Sequence, residues 1–220
     1  LRFGAEVTCV FASDIAGVVG LAAELAPDLV ATFASRTVAT TQDEIRRVAP
    51  QTPTAVVGVA RRPRLDLEAL VANHGAGSPL VLLEDPRNLG NVGAAVRVAA
   101  AADVGGVLTT GRADPWDPAA LRGSAGLHFA LPVGRIETLC TERPLLGLDP
   151  EGEPLRPSEL PRDAVLAFGS ERAGLSDTLS NRCAQRLALP MRNGVSSLNL
   201  ATAVAAVLFA WRLGGDRPGG

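Results

Sequence analysis

A lone charge among small apolar residues is the first place in this sequence where chemistry can be sought. Arg97 interrupts Ala94–Ala102, which is otherwise alanine and valine, and it lies six residues after Asn91. A fully buried guanidinium without a partner is very costly, so the head must reach an ion pair, a ligand or solvent. Its planar fork of donors suits phosphate or carboxylate, which it can grip through two bonds at once. Just upstream, Glu84-Asp85-Pro86-Arg87 and then Asn88-Leu89-Gly90-Asn91-Val92-Gly93 join an apolar strand to a small-residue helix. Glycines in such a turn permit positive φ and close backbone approach, and a helix start offers free N–H groups to an anion. Gly90 and Gly93 give G-x-x-G, however, which is neither the G-x-G-x-x-G of a dinucleotide loop nor a triphosphate-binding loop.

Two further blocks carry polar groups at the ends of apolar runs. Phe168-Gly169-Ser170-Glu171-Arg172-Ala173-Gly174-Leu175 follows the strand-like Ala164–Phe168. Its order does not match the G-x-S-x-G elbow of acyl-transfer enzymes, and no histidine is placed by sequence to serve Ser170. A plain strand-to-loop turn with exposed charges remains open for it. Leu189-Pro190-Met191 leads through Arg192-Asn193-Gly194-Val195 to Ser196, Ser197, Leu198 and Asn199. Ser196 or Ser197 is expected to cap the last helix, and Asn199 needs a defined partner wherever it is buried.

The elements that must position these blocks can be read from periodicity. A strand at Val7–Phe11, helices near Asp14–Leu25 and Gln42–Val48, and a buried strand at Thr54–Ala60 make a small α/β unit, residues 1–62. Residues 63–78 have the composition of a connection, with a short helical pattern at Leu65–Ala72 and a Gly-Ala-Gly-Ser tail. A larger unit, residues 79–215, follows, with residues 216–220 as a tail. In it strands at Leu80–Leu83, Gly106–Thr109, Leu145–Leu148, Val165–Phe168 and Arg186–Leu189 alternate with helices at Asn91–Ala102, after Asp117-Pro118 and at Ser197–Leu213. Such alternation predicts a parallel sheet with helices on both faces, in the α/β class. Asp117 and Pro118 are residue types that open helices.

Composition adds limits. With 47% hydrophobic and 20% charged residues over 220 positions, the chain is expected to fold into globular units. No run reaches the roughly 18 apolar residues of a membrane span, and no secretory leader is recognised, so a cytoplasmic location is expected. Leu1 opens the sequence and Met191 is its only methionine, so further residues are expected to precede Leu1 in the full protein. Cys9, Cys140 and Cys183, with His74 and His128, are too scattered for a disulfide framework or a metal site. A net charge of −2 does not mark a general nucleic-acid binder, although all 21 basic residues are arginine. The phenylalanines are scattered and tyrosine is absent, which leaves no platform for stacked bases.

Taken in order, the three blocks resemble the SpoU family of RNA ribose 2′-O-methyltransferases, within the knotted SPOUT superfamily, over residues 79–213. The resemblance implies a trefoil-knotted parallel sheet that forms homodimers and builds its site across the subunit contact, with the Asn91 helix and the C-terminal helix bearing Trp211 expected there. It also implies S-adenosylmethionine as methyl donor, surrounded by Phe168, Gly169, Ser170, Glu171, Gly174, Leu189, Met191, Ser197 and Leu198. By the same likeness Asn91, Arg97, Glu171, Ser197 and Asn199 form the catalytic set, and Arg87, Asn88, Arg97, Arg122 and Ser124 meet the RNA. Arg122 and Ser124 enter through Arg122-Gly123-Ser124-Ala125-Gly126 and the following Ala130-Leu131-Pro132-Val133. Ser196 stands where relatives often carry an acid. The first unit more weakly resembles the small ribosomal-protein-like RNA-binding domain of rRNA-modifying relatives, which favours ribosomal RNA over tRNA. The alternatives are a tRNA methyltransferase and a non-catalytic RNA-binding protein that keeps the fold.

Overall fold

A computed structural model describes residues 1–50, 55–73 and 77–215 of the chain. His74, Pro53, Thr54 and the tail lie outside them. The chain divides into two compact units, Leu1–Arg64 and Leu65–Gly220.

In the first unit β1 (Val7–Ala12) is followed by α1 (Ile15–Leu25), α2 (Val30–Arg36), β2 (Thr37–Ala39), α3 (Gln42–Val48) and β3 (Val56–Ala60). The strands pair in the order β2-β1-β3, parallel to one side and antiparallel to the other. Asp14 caps α1 by accepting from Gly17 N. Thr41 and Glu44 cap α3 reciprocally, and those backbone and hydroxyl donors pull the Glu44 carboxyl down to about 2. Val10, Ala12, Ala22 and Ile45 are buried. Contrary to the expectation of a buried strand, β3 lies at the sheet edge with Gly58 and Val59 exposed. Apolar β-branched residues signal a strand without saying whether its faces are covered.

The second unit opens with α4 (Leu67–Ala72), capped by Asp66. Its Leu67, Leu70 and Val71 pack with the core, so the helical pattern predicted within the connection is part of this unit. There follow β4 (Leu80–Leu83), α5 (Leu89–Ala102), β5 (Gly106–Thr109), α6 (Pro118–Gly123), β6 (Val133–Arg135), β7 (Leu145–Pro154), β8 (Val165–Phe168), α7 (Asp177–Ser180), β9 (Gln185–Ala188) and α8 (Leu200–Gly215). The sheet is wholly parallel, in the order β6-β5-β4-β8-β7-β9.

Two-faced burial explains the four-residue apolar runs of the central strands. Along β4, Val81 and Leu83 enter one core with α5, α6 and α8, whereas Leu80 and Leu82 enter another with α4 and Leu179 of α7. The strand β7 runs six residues beyond the expected Leu148, past a register shift against β9. Trp211, expected at a dimer contact, is 8% exposed and belongs to the first of these cores. Phe209 and Leu213 are the large apolar side chains that α8 exposes.

At the crossing of α5 and α6 the backbones nearly touch. A Cβ on Gly93 would sit 2.1 Å from the Ala120 carbonyl oxygen and 2.8 Å from the Gly123 Cα. The glycine read as a phosphate-binding turn residue is therefore a helix-packing residue, and its φ is not positive.

Candidate active site

The three blocks meet at the carboxyl ends of neighbouring strands. After β4 the chain turns at Asp85, whose φ of 40° is held by a hydrogen bond from its N–H to the Thr110 hydroxyl. Asn88 then caps α5, its Oδ1 accepting from Gly90 N at 2.9 Å and Asn91 N at 3.2 Å. The Asn88 Oδ1 is thus occupied as a cap, and the exposed side chain keeps its amide nitrogen for the RNA contact expected of it. This cap also starts α5 two residues before the predicted Asn91.

After β8 the loop 169–174 folds back on itself. Ser170 N donates to the Gly174 carbonyl at 2.9 Å and Gly174 N to the Ser170 carbonyl at 3.0 Å. A Cβ on Gly169 would lie 1.9 Å from the Gly174 carbonyl carbon, so only glycine permits this return. Glu84 anchors the loop's far end, accepting from Ser176 N at 2.8 Å and the Ser176 hydroxyl at 2.6 Å.

Glu171 reaches from this loop to the start of α5. One carboxylate oxygen accepts from Arg87 N at 3.0 Å, and the other from Asn88 N at 3.2 Å and Asn91 Nδ2 at 3.1 Å. Burial raises the Glu171 pKa, but the hydrogen bonds from Arg87, Asn91 and Asn88 outweigh it, and the carboxyl is held below its ordinary value. Asn91 Oδ1 accepts from Asn199 Nδ2 at 3.0 Å. Asn199 Oδ1 accepts in turn from Ala201 N at 2.9 Å and Thr202 N at 3.4 Å. Asn199 thereby caps α8, in place of the expected Ser196 or Ser197, because its shorter reach to the first turn leaves both serines outside the helix. Glu171, Asn91 and Asn199 form one polar clasp joining residues more than 100 positions apart.

Beside the clasp lies a cavity of about 480 Å³ over the ends of β7, β8 and β9. Its wall includes all nine residues expected around the methyl donor: Phe168, Gly169, Ser170, Glu171, Gly174, Leu189, Met191, Ser197 and Leu198. It also includes Leu148, Asp149, Pro150, Glu151, Arg172, Ala173, Leu175, Leu187, Leu200 and Ala203, which sequence reasoning missed. The available signal was the strand end at Leu148, since open parallel sheets bind ligands beyond the carboxyl ends of their strands. Leucines supply an apolar floor, while Asp149 and Glu151 make one side acidic. Arg186 pairs with Asp149 at 3.1 Å.

Arg97 is not brought to this cavity within one chain. It is exposed on α5, about 9 Å along the axis and about 120° around from Asn91, and has no hydrogen-bond or ion-pair partner among the described residues. Arg87 is exposed and pairs with Asp85 at 3.1 Å, and Arg122 is exposed at the end of α6. Ser124 is wholly buried, its hydroxyl 2.6 Å from His128 Nδ1 and 3.0 Å from the Leu121 carbonyl. Its expected contact with RNA is corrected: the side chain is a core group. Among the described residues no cluster of three or more metal-ligating side chains occurs, and no helix is long and apolar enough to cross a membrane.

Comparison with known proteins accords with this geometry. Residues 78–209 match the SpoU rRNA Methylase family. A 23S rRNA (uridine(2479)-2'-O)-methyltransferase of Streptomyces viridochromogenes is 30% identical over 174 residues, which are 72% of this chain and 60% of that protein. A 23S rRNA (adenosine(1067)-2'-O)-methyltransferase of Streptomyces azureus is 29% identical over 163 residues, covering 69% and 60%. The chain thus spans about three fifths of the length of these curated relatives. The crystal structure of the SpoU methyltransferase AviRb from Streptomyces viridochromogenes, in complex with AdoMet, superposes with a TM-score of 0.78 at 26% identity, covering 96% of this chain and 84% of that one.

Proposed function

Starting from the chain's membership of the SpoU rRNA methylase family, we propose that it methylates a ribose 2′-hydroxyl of RNA, with ribosomal RNA favoured over tRNA, using S-adenosylmethionine. The observation that carries the proposal is the cavity of about 480 Å³, a size suited to a small cofactor, whose wall includes every residue the family pattern assigns to the donor. Bound there, S-adenosylmethionine would supply a methyl group on a sulfonium, a leaving group that needs no protonation.

What the protein contributes is position and proton handling. The apolar floor of Leu148, Leu187, Leu189 and Leu200 suits a flat hydrophobic ring, and the acidic side at Asp149 and Glu151 suits a cationic ligand. Glu171, Asn91 and Asn199 hold the loop 169–174 and the starts of α5 and α8 in one arrangement. Arg97, an exposed guanidinium free among the described residues, is assigned to gripping the phosphate beside the target ribose and stabilising the negative charge that develops on the 2′-oxygen as its proton passes to water and its new bond to the methyl group replaces the methyl–sulfur bond. Its distance from the cavity along α5 favours a site completed by the Arg97 of a second copy, so the homodimer belongs to this proposal. The trefoil knot, the ribosomal-protein-like role of the first unit and a cytoplasmic location belong to it as well.

Titration calorimetry with S-adenosylhomocysteine tests the reading. We expect one site per chain in the micromolar range, and Arg97→Ala is expected to keep that site while losing methyl transfer to RNA. A folded protein that binds no S-adenosylhomocysteine would refute the assignment. Full activity of the Arg97→Ala protein would refute the mechanism.

A further inference from the structure

Arginines of the second unit fall into two groups. Several are engaged: Arg186 pairs with Asp149 at 3.1 Å, Arg156 with Glu159 at 3.2 Å and Arg212 with Asp103 at 3.9 Å, while Arg143 and Arg182 donate to backbone carbonyls. On the loops that leave the carboxyl ends of the strands they are largely free. Arg112, following β5, and Arg172, following β8, are exposed and have no hydrogen-bond or ion-pair partner among the described residues. Arg135 ends β6, exposed, and donates from Nη1 to the Gly111 carbonyl at 3.3 Å, which ties it to the loop that bears Arg112.

Four carboxylates of the same edge are already engaged. Asp85 holds Arg87, Glu84 holds Ser176, Glu171 is in the clasp, and Asp114 accepts from Trp116 N. Arg112, Arg135 and Arg172 are therefore left without a carboxylate partner among the described residues, on an edge whose acidic side chains Asp149 and Glu151 lie at the cavity.

We propose that Arg135, Arg112, Arg87 and Arg172 form a phosphate track along the carboxyl edge of the sheet, on which a single strand of RNA lies as it enters the cavity. The strand order β6-β5-β4-β8 lines the four arginines up in that sequence. Three strand spacings make the track about 14 Å long. At roughly 3.4 Å per stacked nucleotide this accommodates about four nucleotides. Guanidinium forks bind phosphate without reading bases, so the track positions the strand and leaves the choice of nucleotide to other contacts. Single-stranded RNA is the fitting partner because a ribose inside an A-form duplex cannot be drawn into a cavity at a strand end, whereas loop nucleotides splay out.

The track rests on the methyl-transfer reading for its substrate, and its test separates the two. Binding of a short single-stranded RNA to the whole protein is measured against salt for the native chain, for Arg112→Gln and for Arg112→Gln with Arg135→Gln, alongside S-adenosylhomocysteine titrations. Both positions are exposed and neither lines the cavity, so cofactor-product binding is expected to stay unchanged. The magnitude of the salt slope is expected to fall by about 0.7 for the single variant and about 1.4 for the double. RNA affinity at moderate salt is expected to fall several-fold with each. A slope that stays at the native value in the double variant overturns the track and leaves the proposed function standing. A native protein that binds RNA with the predicted slope changes but no S-adenosylhomocysteine keeps the track and overturns methyl transfer, and one that binds no RNA overturns both.

Discussion

Replacing Gly169 by alanine puts the loop geometry to a quantitative test. The added Cβ would stand 1.9 Å from the Gly174 carbonyl carbon, 2.1 Å from Leu175 N and 2.2 Å from the Gly174 oxygen. All three are backbone atoms, so no side chain can swing aside. The loop must open, and opening breaks the two hydrogen bonds between Ser170 and Gly174. At about 1 kcal/mol each, the lost bonds remove about 2 kcal/mol from a ligand complex that needs the closed loop, which is at least a roughly 30-fold weaker Kd for S-adenosylhomocysteine by calorimetry. Global stability should change much less, because an exposed loop can open without unfolding the sheet. Trp116 and Trp211 both lie in the second unit, so tryptophan fluorescence in urea follows that unit alone. Gly174→Ala is the informative companion: nothing lies within 4 Å of its Cβ, but its φ is +68°, so its cost of about 1–2 kcal/mol is conformational and not steric. An alanine at 169 that binds within two-fold of the native protein would refute the reasoning.

Gly93→Ala should lower the urea midpoint of the second unit by roughly 1 M, since overpacking of about 3 kcal/mol against the Ala120 carbonyl exceeds the gain of about 1 kcal/mol in helix propensity; a midpoint at or above the native one would contradict the helix crossing. The clasp predicts a pH dependence as well. Because the folded-state pKa of Glu171 is depressed, its contribution is fully present above the ordinary carboxylate value and is lost as pH falls through the folded one. Acid titration of the second unit should therefore be flatter below about pH 4.3 in Glu171→Gln than in the native chain, and equal slopes would remove the carboxylate from the clasp.

The central strands were legible because burial on both faces leaves a mark that survives without tertiary knowledge: Leu80–Leu83, Gly106–Thr109 and Val165–Phe168 coincide with their predicted spans. Nine residues of the cavity wall were legible for another reason, their place in two local motifs. What escaped depends on neighbours in space. Leu148 to Glu151 became a wall only because β7 lies beside β8, which no local pattern states. Ser197 and Asn199 are both capping types, and the choice between them was made by Asn91, 108 residues away. Ser124 has the polarity of a surface residue, and only His128 packed against it accounts for its burial. The extension of β7 through Gly152 and Pro154 runs against strand propensity and follows from its partner β9.

The seat at the start of α5, where a helix would ordinarily attract an external phosphate, is taken by the chain's own Glu171. A second anion arriving there would meet a carboxylate and spent N–H groups. Adenine-bearing molecules that carry pyrophosphate, such as nucleoside triphosphates and dinucleotides, therefore gain nothing at the helix end beside this cavity. An adenosyl compound without phosphates loses nothing by the same arrangement. Selectivity among the abundant adenine ligands of a cell is in this sense aided by a glutamate of the cavity wall that fills the helix end itself.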